Sequence, residues 1–177
     1  MDLGVISIRY ARALLKSAVQ TECEEQVYAD MVTLSRSFVD VPLLRKAIGN
    51  PMLSAENKKK VLLAACGNEP TALTERFFAL VLQEHREEVM QFIASSYITL
   101  YRKQKNITHG RLVTAAAVSP ATEQKMRKMV EDRTKGTVEF LTEVDPDIIG
   151  GFILEYDTYR MDASVKNQLA TVLKNLK

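Results

Sequence analysis

The side chains best able to take part in proton transfer are two histidines, His85 and His109. Histidine titrates near neutral pH and is the commonest general base, so each deserves a test against its neighbours. His85 stands among Glu84, Arg86 and Glu87, and His109 stands beside a glycine. Neither has a nucleophile and an orienting acid nearby in sequence. Solvated surface positions are the simpler interpretation of both.

Paired carboxylates and a lysine run are the next candidates. Acidic pairs occur at Glu24-Glu25, Glu87-Glu88 and Asp145 with Asp147. Two carboxylates cleave a glycosidic bond only when the fold makes them converge on it, and adjacency in sequence does not achieve that. The three lysines at 58–60 could contact phosphate, but a short run beside Glu56 is typical of a solvated helix face. We expect all of these groups to face solvent.

Short catalytic and cofactor motifs are missing from the sequence. It contains no GxxxxGK[ST], GxGxxG, GxSxG or HExxH pattern and no paired CxxC. The two cysteines, Cys23 and Cys66, are predicted to be reduced, partly buried thiols in a reducing compartment. We therefore predict no catalytic, cofactor-binding or metal-binding residue, and no enzyme class is supported.

Composition excludes two further classes of partner. The 177 residues include 24 basic and 22 acidic side chains, which gives a formal net charge of +2. That balance produces no large field to attract nucleic acid. The longest apolar runs, such as Phe77 to Leu82, fall far below the roughly 20 residues that a membrane span needs. The prediction is no nucleic acid and no direct membrane insertion.

Helical spacing of apolar residues runs from residue 4 to about residue 105. The first helix ends near Gln20, Gly49-Asn50-Pro51 ends a short helix, and Ser54 is a plausible N-cap for the next one. Two more helices follow, over about 71–84 and 87–104. Residues 1–105 are therefore predicted to form an all-α bundle of about six helices.

After Asn106 the pattern changes to short runs rich in Val, Ile, Phe and Thr. Strands over 109–119 and 137–144 flank a helix that begins at Pro120, and a hairpin follows over 151–161. The tandem glycines Gly150 and Gly151 predict positive φ or a close backbone approach. Asp162 is predicted to cap a final helix with one apolar stripe, made of Val165, Leu169, Val172, Leu173 and Leu176.

Together these patterns predict an α+β two-domain fold. Residues 1–105 would form the helical bundle and residues 106–177 a small C-terminal α/β domain. A domain of about 70 residues has little room for a core, so docking to another chain would help to stabilise it.

The first helix is unusual because it carries two apolar stripes. A surface helix normally buries one stripe, so the second needs a neighbour within the chain or on a partner. The fifth helix is similar, with Phe78 and Leu82 turned away from its other apolar residues. Periodicity alone leaves both alternatives open. The first-helix stripes are Ile6, Tyr10, Ala13, Leu14 and Ile8, Ala11, Leu15, Ala18, and the fifth-helix stripe is Phe77, Leu80, Val81, Glu84.

Two segments, the run from Arg9 to Leu14 and the pair Asn50-Pro51, match short motifs of one protein family. They resemble the "RYAxAL" opening and the mid-domain "NP" segment of the ATP synthase delta subunit family, called the oligomycin-sensitivity-conferring protein in mitochondria. The most specific match combines Val138-x-Phe140, Val144-Asp145 and Ile148-x-Gly150-Gly151-Phe152 with the run from Asp162 to Leu169. Two departures are Asp157-Thr158, where the family commonly has a glycine, and Lys166-Asn167, which replaces a common Arg-Gly pair.

The resemblance implies a mechanical function. In this family the helical bundle binds N-terminal helical segments of the alpha subunits, on top of the catalytic head. The C-terminal domain binds the peripheral stalk formed by the b subunits. The expected chain is thus a non-catalytic stator subunit of the proton-translocating F-type ATP synthase, which resists rotor torque during ATP synthesis. It would be a monomer within the complex, without a cofactor, at the cytoplasmic face of the bacterial inner membrane.

The "RYAxAL" match also selects one of the two stripes in the first helix. Combined with the fifth helix, it predicts an apolar groove with a polar rim that binds the alpha N-terminal helix. The predicted groove residues are Ile6, Tyr10, Ala13, Leu14, Phe77, Leu80 and Glu84.

Two alternatives remain open. A helical RNA-binding module of the transcription-antitermination type should show a basic face and salt-sensitive RNA binding, and the near-neutral charge argues against it. An unrecognised small enzyme would need a pocket with a perturbed titratable group.

Overall fold

A computed structural model describes residues 3–67, 69–134, 136–156 and 158–175, with the side chain of Asn175 left aside. The chain divides into two compact units, Met1–Tyr101 and Arg102–Lys177. The division falls within the helix Met90–Lys105, slightly before the change in sequence pattern at Asn106.

The first unit is a bundle in which the described residues form six α-helices, as the sequence predicted. A 3₁₀ turn at Glu87–Val89 leads into the last of them. The helices are α1 (Leu3–Gln20), α2 (Glu24–Asp40), α3 (Pro42–Ile48), α4 (Ala55–Cys66), α5 (Ala72–Gln83) and α6 (Met90–Lys105).

Side-chain caps set where α4 and α5 begin. The Ser54 hydroxyl accepts a hydrogen bond from the Asn57 amide at 3.4 Å, and the Thr71 hydroxyl accepts one from the Thr74 amide at 3.2 Å. The buried carboxylate of Asp30 in α2 accepts from the Thr71 amide and hydroxyl, both at 3.0 Å, and from the Thr74 hydroxyl at 2.7 Å. These bonds hold the start of α5 against α2, because a buried carboxylate is costly unless fully hydrogen-bonded.

The bundle core follows helical periodicity. In α6 the buried residues are Met90, Ile93, Ala94, Tyr97 and Tyr101. Phe92 lies one position off this stripe and is exposed. The Tyr97 side chain is fully buried, and its hydroxyl donates to the Glu24 carbonyl at 3.3 Å.

The lysine run in α4 differs from its prediction as a solvated face. Lys58 is buried and pairs with Glu87 at 2.6 Å, with the two side chains 6% and 13% exposed. Lys59 pairs with Glu75 at 2.7 Å, and only Lys60 is largely in solvent. The prediction was wrong for Lys58 because three consecutive residues span about 200° of a helix surface and cannot all face one side.

The second unit contains a four-stranded mixed sheet with strand order β2-β1-β3-β4. Strands β1 and β2 are parallel and are joined through α7, and the other pairs are antiparallel. This confirms the predicted α+β fold class. The elements are β1 (Ile107–Thr114), α7 (Pro120–Thr134), β2 (Thr137–Val144), β3 (Phe152–Tyr156), β4 (Tyr159–Asp162) and α8 (Val165–Asn175), with a 3₁₀ turn at Pro146–Ile148.

Strand β1 ends earlier than the predicted residue 119. The Thr114 hydroxyl donates to the Ala116 carbonyl at 2.8 Å, which turns the chain before α7. The predicted hairpin between β3 and β4 is present, but Asp157 of its turn lies outside the described residues.

The two faces of the sheet differ in character. One face carries the small core, formed by Leu112, Val130, Val138, Leu154 and Tyr156. On the other face Arg111 pairs with Glu143 at 2.6 Å and with Glu155 at 3.8 Å, and Arg160 pairs with Glu155 at 3.5 Å. The hydrogen bond and charge of Glu143 raise the pKa of Arg111. These open-face charges are paired with one another.

The tandem glycines fit tightly against the start of α8. Gly151 has φ of +75°, and a Cβ there would overlap the Ala163 carbonyl oxygen. A Cβ at Gly150 would lie 3.0 Å from a methyl of Val165. Positive φ and close approach therefore coincide at Gly151, where only glycine avoids both penalties.

Asp162 does not cap α8 directly, which corrects the sequence prediction. The cap is Ser164, whose hydroxyl accepts from the Asn167 amide at 3.2 Å. The Asp162 carboxylate accepts from the Ser164 hydroxyl at 2.6 Å and from its amide at 3.1 Å, and these two bonds lower the pKa of Asp162. Asp162 positions the cap because β4 extends to residue 162 and leaves two residues before the helix.

We predict that Lys58→Ala lowers the free energy of unfolding by about 3 kcal/mol, since it leaves the Glu87 carboxylate buried without its partner. Lys60→Ala, which removes an exposed pair with Glu56, should change stability little. Denaturant unfolding of both variants at pH 7 is the measurement. Equal midpoints would show that the buried pair does not contribute.

The same pair predicts a pH dependence. Burial alone would raise the pKa of Glu87, but the hydrogen bond and charge of Lys58 hold it below its usual value of 4.5. A lowered folded-state pKa gives stability that is present above the unfolded pKa and is lost as the pH falls through the folded value. The stability difference between wild type and Lys58→Ala should therefore shrink as the pH is lowered below 4.5.

We predict that Gly151→Ala destabilises the second unit by about 3 kcal/mol, from positive-φ strain together with steric overlap. Gly49→Ala is the matched control, because Gly49 has an ordinary helical φ of −75° and its Cβ would meet only a carbonyl at 3.4 Å. Thermal melts followed by circular dichroism give the comparison. A Gly151→Ala melt like that of Gly49→Ala would contradict the packing described.

Candidate partner-binding groove

An open groove of about 390 Å³ lies between α1 and α5. Both helices present the needed side chains at helical spacing, with Tyr10, Ala13, Leu14 and Ser17 on α1 and Leu73, Phe77 and Leu80 on α5. Two arginines, Arg9 and Arg76, complete the lining. The groove is thus an apolar channel with a guanidinium group from each helix.

The aromatic rings of Tyr10 and Phe77 meet where the two helices pack. Their centroids are 6.5 Å apart with an interplanar angle of 67°, an edge-to-face arrangement. Leu14 and Phe77 are buried, whereas Ala13 and Leu80 are exposed. The floor is therefore fixed by the bundle core, and the exposed apolar side chains remain available for contact.

The opposite side of α1 faces the core of the unit. Ala11, Leu15 and Ala18 are buried there, and Ile8 is exposed. The Ser96 hydroxyl of α6 donates to the Ser7 hydroxyl at 3.4 Å. One side of α1 is therefore covered within the chain, and part of the other side is open. The structure thus has one stripe with a neighbour in the chain and a second stripe that is partly available to a partner.

Five of the seven predicted groove residues come together: Tyr10, Ala13, Leu14, Phe77 and Leu80. Ile6 does not line the groove; its side chain is 4% exposed and belongs to the bundle core. Glu84 does not line it either, since α5 ends at Gln83 and Glu84 has left helical geometry, with φ of −81° and ψ of 3°.

Sequence reasoning missed four lining residues: Arg9, Ser17, Leu73 and Arg76. Helical spacing could have found two of them, because Ser17 follows Tyr10 by two turns and Leu73 precedes Phe77 by one turn. Arg9 and Arg76 also lie one turn before Ala13 and Leu80, but a charged residue does not extend an apolar stripe. Charged residues beside an apolar stripe occur on every amphipathic helix, and only the packing of α1 against α5 brings these two to one groove.

The groove is positively charged at its rim. Within the described part of the chain, neither Arg9 nor Arg76 has a carboxylate within 4.0 Å. The neighbouring Glu75 is held by Lys59 instead, whose hydrogen bond lowers the pKa of that carboxyl. A ligand with carboxylates beside an apolar stripe would complement this surface.

Outside the groove, the pKa shifts of Cys66 and His109 are caused by burial. Burial raises the pKa of the Cys66 thiol to about 12, which keeps it protonated and unreactive. Burial lowers the pKa of His109. Among the described residues, no group of three or more His, Cys, Asp or Glu side chains could hold a metal ion. The groove itself offers apolar surface and guanidinium groups, which suit binding.

The fold has two units: a helical bundle with an open apolar channel, followed by a small α/β unit. Residues 6–176 match the family model described as ATP synthase delta (OSCP) subunit. The chain belongs to this family, whose members are non-catalytic subunits of ATP synthase.

Curated relatives extend the match over nearly the whole chain. ATP synthase subunit delta of Phocaeicola vulgatus is 47% identical over 97% of this chain and 94% of its own length. ATP synthase subunit delta of Parabacteroides distasonis is 45% identical over 99% of this chain and 98% of its own length. The chain is therefore a subunit of ATP synthase, a membrane-associated complex that makes ATP. No helix of the described residues is long and apolar enough to cross a membrane.

The fold is also similar to a chain in the cryo-EM structure of the Toxoplasma gondii mitochondrial ATP synthase hexamer. The TM-score is 0.67 at 23% identity, and the match covers 96% of each chain. At that identity the likeness supports the fold alone.

Proposed function

We propose that this subunit is a stator joint, which links the catalytic head of the ATP synthase to the peripheral stalk and stops the head from turning with the rotor. The observation that carries the proposal is the open groove between α1 and α5 in a member of this family. The first unit would bind N-terminal helical segments of the alpha subunits, and the second would bind the b subunits. As part of a membrane-associated complex in a bacterium, the subunit would lie at the cytoplasmic face of the inner membrane.

The groove suits an amphipathic helix. An apolar channel between two helices accepts a third helix through residues at i, i+3, i+4 and i+7. Ala13 is the small side chain in the lining, so it lets a partner backbone approach closely. Tyr10 supplies an aromatic ring with a polar end, the type of side chain that dominates binding energy at interfaces.

Resistance to torque requires that the groove be rigid before the partner binds. Both walls are braced: α1 buries Ala11, Leu15 and Ala18 on its other side, and α5 is tied to Asp30 through three hydrogen bonds. A preorganised surface loses less conformational entropy on binding than a flexible one. Exposed ion pairs alone would contribute little to such a joint.

We predict that Ala13→Asp weakens binding of a synthetic alpha N-terminal peptide by several kcal/mol, because the new carboxylate must be desolvated against apolar surface. Tyr10→Ala should cost about 1–3 kcal/mol through loss of an aromatic anchor. Isothermal titration calorimetry with the wild-type chain and each variant measures both effects, and a thermal melt of each variant checks the fold.

Ala79→Asp is the matched control for the first variant. Ala79 is an exposed alanine of α5 that does not line the groove, so the same substitution there should leave the affinity unchanged. Full affinity in a folded Ala13→Asp variant would show that the alpha segment binds elsewhere.

A further inference from the structure

A second cavity adjoins the groove at the end of α1. Its volume is about 710 Å³, and Leu73 and Arg76 line both the cavity and the groove. On the α1 side, Ser17 lines the groove and Thr21, one turn further along the chain, lines the cavity. A helix that lies along the groove therefore has one of its two ends at this cavity.

The cavity differs from the groove in its chemistry. Its polar lining includes the carboxylates of Asp30 and Glu69, the amide of Gln26 and the hydroxyls of Thr21 and Thr71. Neither carboxylate has a basic side chain within 4.0 Å among the described residues. Together with the guanidinium of Arg76, the lining carries two negative charges and one positive charge. An anion or a purely apolar group would therefore fit poorly.

Asp30 is the residue that points to a ligand. It is only 8% exposed, yet it lines the cavity. Its Oδ2 atom accepts the three hydrogen bonds from Thr71 and Thr74 that hold the start of α5. Its Oδ1 atom accepts none from the described residues and is not fully enclosed, so it remains open to a donor in the cavity. A partner that covers the cavity would remove water from this oxygen, which is costly unless the partner supplies a donor.

The N-terminal end of a helix supplies such donors. Its first amide groups have no partner within the helix, and the helix dipole gives that end a partial positive charge. The other end of the groove has the opposite character, because Arg9 lies there, about two turns before Ser17 on α1. A guanidinium group is favourable near the C-terminal end of a helix. Both ends of the groove therefore favour the same direction for a bound helix.

We propose that the cavity binds the N-terminal end of the helix that occupies the groove, so that the alpha segment lies in one direction only. Its first turn contacts Asp30 and Glu69, and its last turn lies towards Arg9. This inference rests on the proposed stator function, to which it adds the direction of the segment and a second contact. Arg76, where the cavity meets the groove, pairs with an acidic side chain in the first turn of the segment, a position that the helix dipole also favours for acidic residues.

Cys23 allows the direction to be measured, because it lines the cavity and is partly exposed. Two synthetic alpha N-terminal peptides, with the sequence from the same genome, carry a cysteine activated as a pyridyl disulfide at the first or the last position of the helix. With the full chain, the first peptide should form a disulfide with Cys23 about tenfold faster or more, because binding holds its sulfur at a high effective concentration near the thiol. Mass spectrometry and thiopyridone release follow the reaction.

Two controls identify the thiol that reacts. Cys23→Ser should abolish the reaction. Cys66 should not compete, since burial raises its pKa to about 12 and keeps the thiol protonated. An excess of unlabelled peptide should suppress the reaction by occupying the groove.

Carboxylate variants test the cavity itself, with the affinity for the unlabelled peptide measured by calorimetry. Glu69→Gln should weaken binding about threefold. Asp30→Asn should weaken it about tenfold or more, because the amide group that replaces Oδ1 cannot accept a hydrogen bond, and a thermal melt checks that α5 is still held. Glu56→Gln is the control, since this exposed carboxylate of α4 lines neither the groove nor the cavity and its loss should change the affinity less than about twofold.

The results separate this inference from the proposed function. If the wild-type chain does not bind the unlabelled peptide, the alpha contact itself is wrong and the inference falls with it. If the peptide binds but the C-terminal label reacts as fast as the N-terminal one or faster, the direction is overturned and the groove contact stands. Equal affinity of wild type and Glu69→Gln would overturn the cavity contact. If Asp30→Asn lowers the melting temperature, Glu69→Gln and the two labels decide.

Discussion

The contact between α1 and α5 is the interaction on which the groove of the first unit depends. Edge-to-face contact of Tyr10 and Phe77 fixes the two helices, and the carboxylate of Asp30 fixes the start of α5. Because α1 also buries Ala11 and Ala18 on its other side, it cannot move without opening the core. The helices that form the groove are therefore held in place by their packing against the bundle core.

The second unit presents its apolar surface differently. Its core cluster lies on one side of a four-stranded sheet, and α8 is joined to the rest chiefly through Ser164, Gly150 and the 3₁₀ turn before them. The helix is anchored at its first residue by a cap and by the tight fit at Gly151. Anchoring one end fixes its direction and leaves its stripe exposed, which is an arrangement that a partner helix can stabilise.

Sequence patterns predicted the fold class and most elements, because hydrophobic periodicity reports secondary structure directly. Strand β2 and the start of α7 lie where predicted, at a run of β-branched residues and at a proline. Periodicity does not report what covers an apolar stripe. The stripes of α6 and α8 look alike in sequence, yet Ile93 and Tyr97 are fully buried and Leu169 and Val172 are exposed. That difference arises from packing between distant segments.

The same limit explains the candidate groove. Tyr10, Ala13 and Leu14 came from a short sequence resemblance, and their grouping with Phe77 and Leu80 depends on the packing of two helices far apart in the chain. Arg9 and Arg76 were missed because the role of a charged side chain depends on the groups that lie near it in the fold. On the sheet, Arg111 pairs with Glu143, whereas neither groove arginine has a carboxylate within 4.0 Å among the described residues. A partner that covers the groove would remove the arginines from water, which is costly unless the partner pairs them. The apolar lining and the two arginines therefore both favour a partner helix that carries carboxylates beside its apolar face.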